Sequence, residues 1–151
     1  MIKIQTEDFD VGYEYLRLRK GADNSSGAIV TFCGLVRDLE KNNSITALHL
    51  EHYPGMTEKA LKDIAAEANT RWPLNAISII HRIGELKTND QIVFVGVASA
   101  HRTAAFEASE FLMDYLKTKA PFWKKAIMGP NSEWIEAKES DDSAAKRWGI
   151  S

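Results

Sequence analysis

The chain has one cysteine and no long apolar segment, and both features limit what kind of protein it can be. Its 151 residues include only Cys33, so no internal disulfide can form, which suits the reducing cytoplasm. No apolar run approaches the roughly 18 residues that a membrane-spanning helix requires. The first residues include the acids Glu7 and Asp8, and they do not form a basic start followed by an apolar segment. No signal peptide is therefore predicted. We expect a cytoplasmic protein that has no membrane partner.

An excess of positive charge is also missing. The chain carries 19 Lys and Arg against 21 Asp and Glu, which gives a formal net charge of −2. A general nucleic-acid-binding domain is usually basic, so we expect no nucleic-acid partner. A hydrophobic fraction of 44% is enough for one core, and no repeat or linker divides the chain. The sequence therefore predicts a single domain spanning residues 1–151.

Strand and helix patterns alternate irregularly along the chain. Runs rich in β-branched residues predict strands at residues 28–33, 45–52, 77–82 and 92–100, and an alternating pattern predicts an edge strand at 134–139. Apolar residues at helical spacing predict helices at residues 11–18, 57–71, 103–119 and, as a short turn, 143–148. Thr57 is the expected N-cap of the second helix. Short connections between strands favour hairpins, so we predict an α+β fold with a mainly antiparallel sheet.

Residues 117–125 depart most strongly from the charge balance of the chain, with four lysines, two aromatic residues and no acid. Pro121 ends the preceding helix, which places Lys117 on its last turn and Lys124 and Lys125 beyond it. The helix dipole accounts for lysines on a last turn, but not for lysines that follow the proline. Because crowded cations repel one another, the segment predicts a bound anion.

Two other places could hold an anion. His101 and Arg102 lie where a buried strand gives way to a helix, whose free N–H groups attract negative charge. The simpler interpretation is that His101 and Arg102 lie at a surface junction between strand and helix that binds nothing. Arg37 suits bidentate binding of phosphate or carboxylate, although pairing with Asp38 or Glu40 explains it equally well.

Metal and thiol chemistry are not expected. His49 and Glu51 share one face of a predicted strand while His52 lies on the other, so three ligands do not converge. Cys33 lies in an apolar strand, where a thiol is usually an inert packing group.

Several uncommon motifs occur in one fixed order along the chain. They lie at residues 50–61, 81–86, 93–97, 99–102, 113–118 and 120–124. In these motifs the chain resembles the MoaE family, the large catalytic subunits of molybdopterin synthase, from about Gly27 to Trp148.

The resemblance implies an α/β-hammerhead fold and a homodimer within a heterotetramer. Each large subunit binds one small ubiquitin-like sulfur-carrier subunit, whose C-terminal Gly-Gly tail ends in a thiocarboxylate. Two sulfur transfers convert cyclic pyranopterin monophosphate into the dithiolene of molybdopterin. Metal is added later by other enzymes, so the resemblance implies no metal ligands and no cofactor here.

The resemblance also implies roles for particular residues. Lys117 is expected to be the central catalytic residue, an acid and base for thiocarboxylate attack. Lys124 is the second catalytic lysine, which stabilises negative charge as the cyclic phosphate opens. The residues expected to bind substrate are Leu35, Val36, Arg37, His101, Arg102, Lys125, Ala126 and Lys138.

Three positions depart from the family pattern. Leu35 stands where a lysine or another polar residue is expected, which removes one phosphate contact. Cys33 replaces a residue that is commonly Thr, and no catalytic role is expected for it. Lys138 stands in place of an Arg that reaches the neighbouring subunit's pocket, and it offers one ammonium instead of a bidentate fork.

Two other functions remain open. The cationic residues could hold a phosphate ligand without catalysis, or the basic and aromatic segment could be a scaffold that docks a partner's acidic tail. A concave lysine pocket would favour a ligand site, and a flat exposed patch would favour the scaffold.

Overall fold

The computed structural model describes residues 1–37, 47–128, 131–135 and 146–149. Within these ranges the chain forms eight strands and three helices. In chain order they are β1 Ile2–Gln5, α1 Val11–Gly21, β2 Ala28–Leu35, β3 Ala47–His52, α2 Met56–Arg71, β4 Leu74–Arg82, β5 Gly84–Leu86, β6 Gln91–Ser99, α3 Arg102–Thr118, β7 Phe122–Met128 and β8 Asn131–Ile135.

The strands form two four-stranded sheets. One sheet has the order β1-β4-β6-β2 and the other β5-β3-β7-β8. All neighbouring pairs are antiparallel except β1 and β4, which run parallel. The predicted α+β class with mainly antiparallel pairing is therefore confirmed. That residues 1–151 form one domain stays a prediction.

The main core lies between the first sheet and helices α2 and α3. Strand β6 is buried along residues 93–99, as expected for an apolar run without alternation. Leu61 and Ile64 of α2 and Phe111 and Leu112 of α3 belong to the same buried cluster as this strand. None of the helices in the described ranges is both long and apolar enough to cross a membrane.

A smaller core lies against the second sheet. It consists of Val36, Leu48, Leu50, Leu86 and Ala126, which are all buried. It joins the end of β2 to strands β3, β5 and β7, and so ties the segment before Arg37 to the strand that carries Lys124. This small core positions much of the candidate site.

Several elements differ from the sequence-based expectations. Strands β1, β5 and β7 were not predicted, and β7 contains both lysines that follow Pro121. Helix α2 begins at Met56 with Gly55 as its N-cap, so the expectation of a Thr57 cap was wrong. The predicted strand at 134–139 overlaps β8 only at residues 134–135, and its remainder lies outside the described residues. The predicted turn at 143–148 is described only from residue 146.

The main chain at Gly27 lies close to that of Ser99 and Ala100, so a substitution at Gly27 tests this part of the fold. Its N–H donates to the Ser99 carbonyl at 2.9 Å, and a Cβ would lie 2.3 Å from the Ala100 carbonyl oxygen. We expect Gly27→Ala to lower the free energy of unfolding by about 1–3 kcal/mol, because main-chain atoms must move. The change in the free energy of unfolding is measured by urea unfolding.

Gly21→Ala is the matched control for this substitution. A Cβ at Gly21, the last residue of α1, would meet no atom within 4 Å. Because alanine favours helix more than glycine does, this variant should be as stable as the wild type or slightly more stable. Equal stability of the Gly27→Ala and Gly21→Ala proteins would contradict the steric argument.

Candidate functional site

The end of α3 and the strand β7 bring two lysines toward one buried group. Lys117 lies in the last turn of α3 and is exposed, whereas Lys124 lies in β7 and is half-buried. A short corner at residues 119–121 joins the two elements. The charges of both lysines lower the pKa of the same imidazole, that of His81 on β4. Lys117 and Lys124 therefore both lie near enough to His81 to act on it electrostatically.

His81 is a neutral imidazole beside these cations. It is 7% exposed and stacks on Phe122 with ring centroids 3.9 Å apart. Its Nδ1 lies 2.8 Å from the Arg82 carbonyl oxygen; because a carbonyl only accepts, Nδ1 carries the proton. Burial, and then the charges of Lys117, Lys124 and His52, lower its pKa from 6.5 to about 4.

Sequence reasoning from residue chemistry missed His81 and gave His52 no role in the site. His52 is paired in register with Phe122, so it lies beside the ring on which His81 stacks. Its Nε2 is 3.9 Å from Glu58 Oε1. Both histidines lie within the motifs that carry the family resemblance, and that was the available signal.

Lys125 does not face the same space as Lys124. Successive side chains of a strand point to opposite faces, and Lys124 pairs with Leu50 while Lys125 pairs with His49. Leu50 belongs to the small core, so Lys124 lies on the covered face of the sheet. Lys125 lies on the opposite face together with Trp123, which is 45% exposed. The two lysines therefore lie on opposite faces of this strand, and substrate binding by Lys125 stays a prediction.

Val36 and Ala126, two of the expected substrate contacts, are buried. Their side chains are 2% and 4% exposed and belong to the small core. The main chain of Val36 is occupied as well, because its N–H donates to Asp90 O at 2.9 Å and its carbonyl accepts from Asn89 N at 2.8 Å. Val36 therefore supports the site through packing, and its contact with substrate stays a prediction.

Leu35 and Arg37 flank Val36 and are exposed. The side chain of Leu35 is 49% exposed at the end of edge strand β2. Arg37 is the last described residue before the gap at 38–46. The small core holds Val36 together with Ala126, two positions from Lys124, so the main chain that leads to Arg37 runs close to β7.

His101 and Arg102 lie at the opposite end of α3 from Lys117. Arg102 is the first residue of this helix, His101 is its N-cap, and both are exposed. At 1.5 Å per residue, the helix separates Arg102 from Lys117 by roughly 22 Å along its axis. Within one chain the two groups do not meet, contrary to a single anion pocket built from both. Lys138 lies outside the described residues.

Thiol and metal sites find no support in the described part of the chain. Burial and then the charge of Asp8 raise the pKa of Cys33, whose Sγ lies 3.2 Å from Gln91 Oε1. A raised pKa disfavours the nucleophilic thiolate, in line with a packing role. No group of three or more His, Cys, Asp or Glu among the described residues could hold a metal ion.

The neutral state of His81 makes stability depend on pH. Its pKa is about 4 when folded and near 6.5 when unfolded, so the unfolded chain binds more protons between these values. The contribution of His81 to the free energy of unfolding is complete above about pH 6.5 and falls as the pH drops toward 4, by about 3 kcal/mol in total.

His81→Gln should therefore lose much of the difference in stability between pH 7 and pH 4.5, measured by urea unfolding at both values. His101→Gln, at an exposed position, is the matched control and should keep the wild-type difference. An unchanged difference in the His81→Gln protein would contradict the assignment of the acid sensitivity to His81.

Comparison with known proteins places the whole chain in one family. A family model described as MoaE protein matches residues 4–119. The molybdopterin synthase catalytic subunits of Escherichia coli and Vibrio cholerae are 56% and 54% identical over 147 residues, with 97% of each chain covered. A solved structure, the molybdopterin biosynthesis MoaE protein of Burkholderia ambifaria, is 49% identical with a TM-score of 0.85, covering 100% of this chain and 99% of that one. The chain belongs to the MoaE protein family.

Proposed function

We propose that this chain is the catalytic subunit of a molybdopterin synthase. It would transfer two sulfurs from the C-terminal thiocarboxylate of a small ubiquitin-like partner to cyclic pyranopterin monophosphate, forming the dithiolene of molybdopterin. The observation that supports this function best is the approach of Lys117 and Lys124 to one neutral imidazole, that of His81. Membership of the MoaE family supplies the reaction class. A cytoplasmic location stays a prediction.

The lysines suit a reaction in which every reactant is an anion. In each transfer the thiocarboxylate sulfur forms a bond to a substrate carbon while a carbon–oxygen bond at that carbon breaks, and the oxygen leaves as water or stays on the opened phosphate. The bond from the sulfur to the partner's carbonyl carbon then breaks as a water molecule adds to that carbonyl. The partner leaves as a carboxylate and the sulfur stays on the pterin. Lys117 would move the protons of these steps, and Lys124 would stabilise negative charge as the cyclic phosphate opens. Fixed cations are most effective where water is partly excluded, as at half-buried Lys124.

The neutrality of His81 preserves the charge that this chemistry needs. A carboxylate in its position would pair with the lysines and compete with an anionic substrate. A neutral imidazole fills the space beside Phe122 without cancelling either positive charge. No acidic side chain of the described residues forms an ion pair with Lys117. Within the described residues, the charge of Lys117 is thus not neutralised by an acidic side chain.

The length of α3 supports a homodimer in which two chains build each site. Because Arg102 lies roughly 22 Å along the helix from Lys117, both cannot bind one small substrate within a chain. We propose that His101 and Arg102 of one copy face the lysines of the other. Lys138 stays a predicted contact to the neighbouring copy, and exposed Arg37 a predicted phosphate ligand.

Removal of Lys117 tests the catalytic assignment. With thiocarboxylated partner and the cyclic pterin, Lys117→Ala should form product at least 100-fold more slowly, the usual effect of losing a proton-transfer group. The Lys124→Ala protein should also form product more slowly than the wild type. Mass spectrometry of the monothiolated and dithiolated products measures both rates.

Lys119→Ala is the matched control, because Lys119 is exposed two residues away at the C-cap of α3. It should react at nearly the wild-type rate. A nearly normal rate for Lys117→Ala would remove Lys117 from its role. Pterin binding by the wild-type protein without turnover would favour a binding module, and partner binding without pterin binding would favour a scaffold.

Mixed dimers test whether two chains build each site. If Lys117→Ala and Arg102→Ala are each inactive alone, a dimer with one copy of each contains one intact composite site. It should recover about half of the wild-type activity, by the geometry of a two-fold dimer. Sites built within single chains would leave both sites damaged and the mixed dimer inactive. Differently tagged copies, purified in two affinity steps, supply the protein for the assay.

A further inference from the structure

Thr57 is a buried side chain whose hydroxyl joins two segments far apart in the chain. It is 0% exposed in the first turn of α2. Its Oγ1 accepts from the Tyr53 N–H at 2.9 Å and donates to the Pro121 carbonyl at 3.0 Å. It does not cap its helix, whose N-cap is Gly55. The hydroxyl thus serves the contact between the two segments.

One of these segments is the corner between the two lysines. Pro121 lies four residues after Lys117 and three before Lys124. The other main-chain hydrogen bonds described for residues 119–121 are local: Lys119 N and Ala120 N donate to Tyr115 O at 2.8 and 3.2 Å, and Ala120 O accepts from Phe122 N at 2.8 Å. The bond from Thr57 spans 64 residues and ties the corner to a different part of the fold.

The other segment is the end of strand β3. His52 closes that strand and pairs in register with Phe122, the first residue of β7. Tyr53 follows His52, and its N–H and carbonyl both bond to Thr57, the carbonyl accepting from Thr57 N at 2.9 Å. Thr57 therefore holds the ends of β3 and β7 together on the side where β7 leaves the corner.

We propose that Thr57 is a positioning residue that sets the alignment of Lys124 relative to Lys117 for the sulfur-transfer reaction. The inference rests on the proposed function for the roles of the lysines. A shift of the corner moves the start of β7, and Lys124 is its third residue. A displacement of about 1 Å is enough to slow a reaction about 100-fold.

Thr57→Val and Thr57→Ser form the matched pair of variants. Valine keeps the shape but can neither donate to Pro121 nor accept from Tyr53, whereas serine keeps both bonds. At a temperature where circular dichroism finds both variants folded, kcat of Thr57→Val should fall about 10- to 100-fold, with KM for the cyclic pterin close to that of the wild type. Thr57→Ser should recover most of kcat.

A double-mutant cycle separates positioning from general damage. If Thr57 acts through Lys124, Thr57→Val should slow the Lys124→Ala protein little further. If the double variant loses kcat by the product of the two single losses, the proposal is overturned. A wild-type kcat in the Thr57→Val protein would also overturn it.

A measurement without turnover keeps this inference separate from the proposed function. Trace acylation of lysines, read by mass spectrometry, should give a severalfold change in the labelling rate at Lys124 in Thr57→Val and none in Thr57→Ser. The exposed Lys3 is the internal control. Absence of product from the wild-type enzyme would overturn the proposed function alone. Unchanged labelling at Lys124 would overturn the role of Thr57 whatever the activity.

Discussion

The pairing of β7 with β3 is the constraint on which the candidate site depends. Six residues of each strand are in register, and this turns a basic and aromatic segment into a strand with two distinct faces. One face carries Lys124 toward the interior, and the other carries Lys125 and Trp123 outward. Without this pairing, the lysines after Pro121 would be a diffuse patch of positive charge.

The site combines cations with a buried ring that stays uncharged. Stacking on Phe122 and the hydrogen bond to the Arg82 carbonyl fix His81 in one tautomer and orientation. Burial keeps that ring neutral, and the nearby lysines act in the same direction. The packing that holds the His81 ring in place also keeps it uncharged beside the lysines. The same contacts therefore affect both the stability of the fold and the charge of the site.

Local sequence patterns predicted the parts of the fold that depend on nearby residues. The apolar run that forms β6 and the helical spacing in α2 and α3 gave those elements nearly correct bounds. Strand β7 was missed because its pattern, Phe-Trp-Lys-Lys-Ala-Ile-Met, does not alternate, and only pairing with β3 and β8 makes it a strand. The segment that contains Lys117 and Lys124 stood out through its charge, and the family resemblance singled out these two lysines within it. The participation of His81 depends on burial and on Phe122, which are properties of the tertiary structure.

The length of helix α3 fixes the distance between the residues at its two ends. It carries Arg102 at its first residue and Lys117 one residue before its end. Each residue inserted into an α-helix adds 1.5 Å and rotates the remaining turns by about 100°. A single insertion would therefore move Lys117 away from His81 or swing Arg102 to another side of the molecule. The exposed positions in the middle of this helix can exchange side chains, but the proposed composite site requires a fixed number of residues between Arg102 and Lys117.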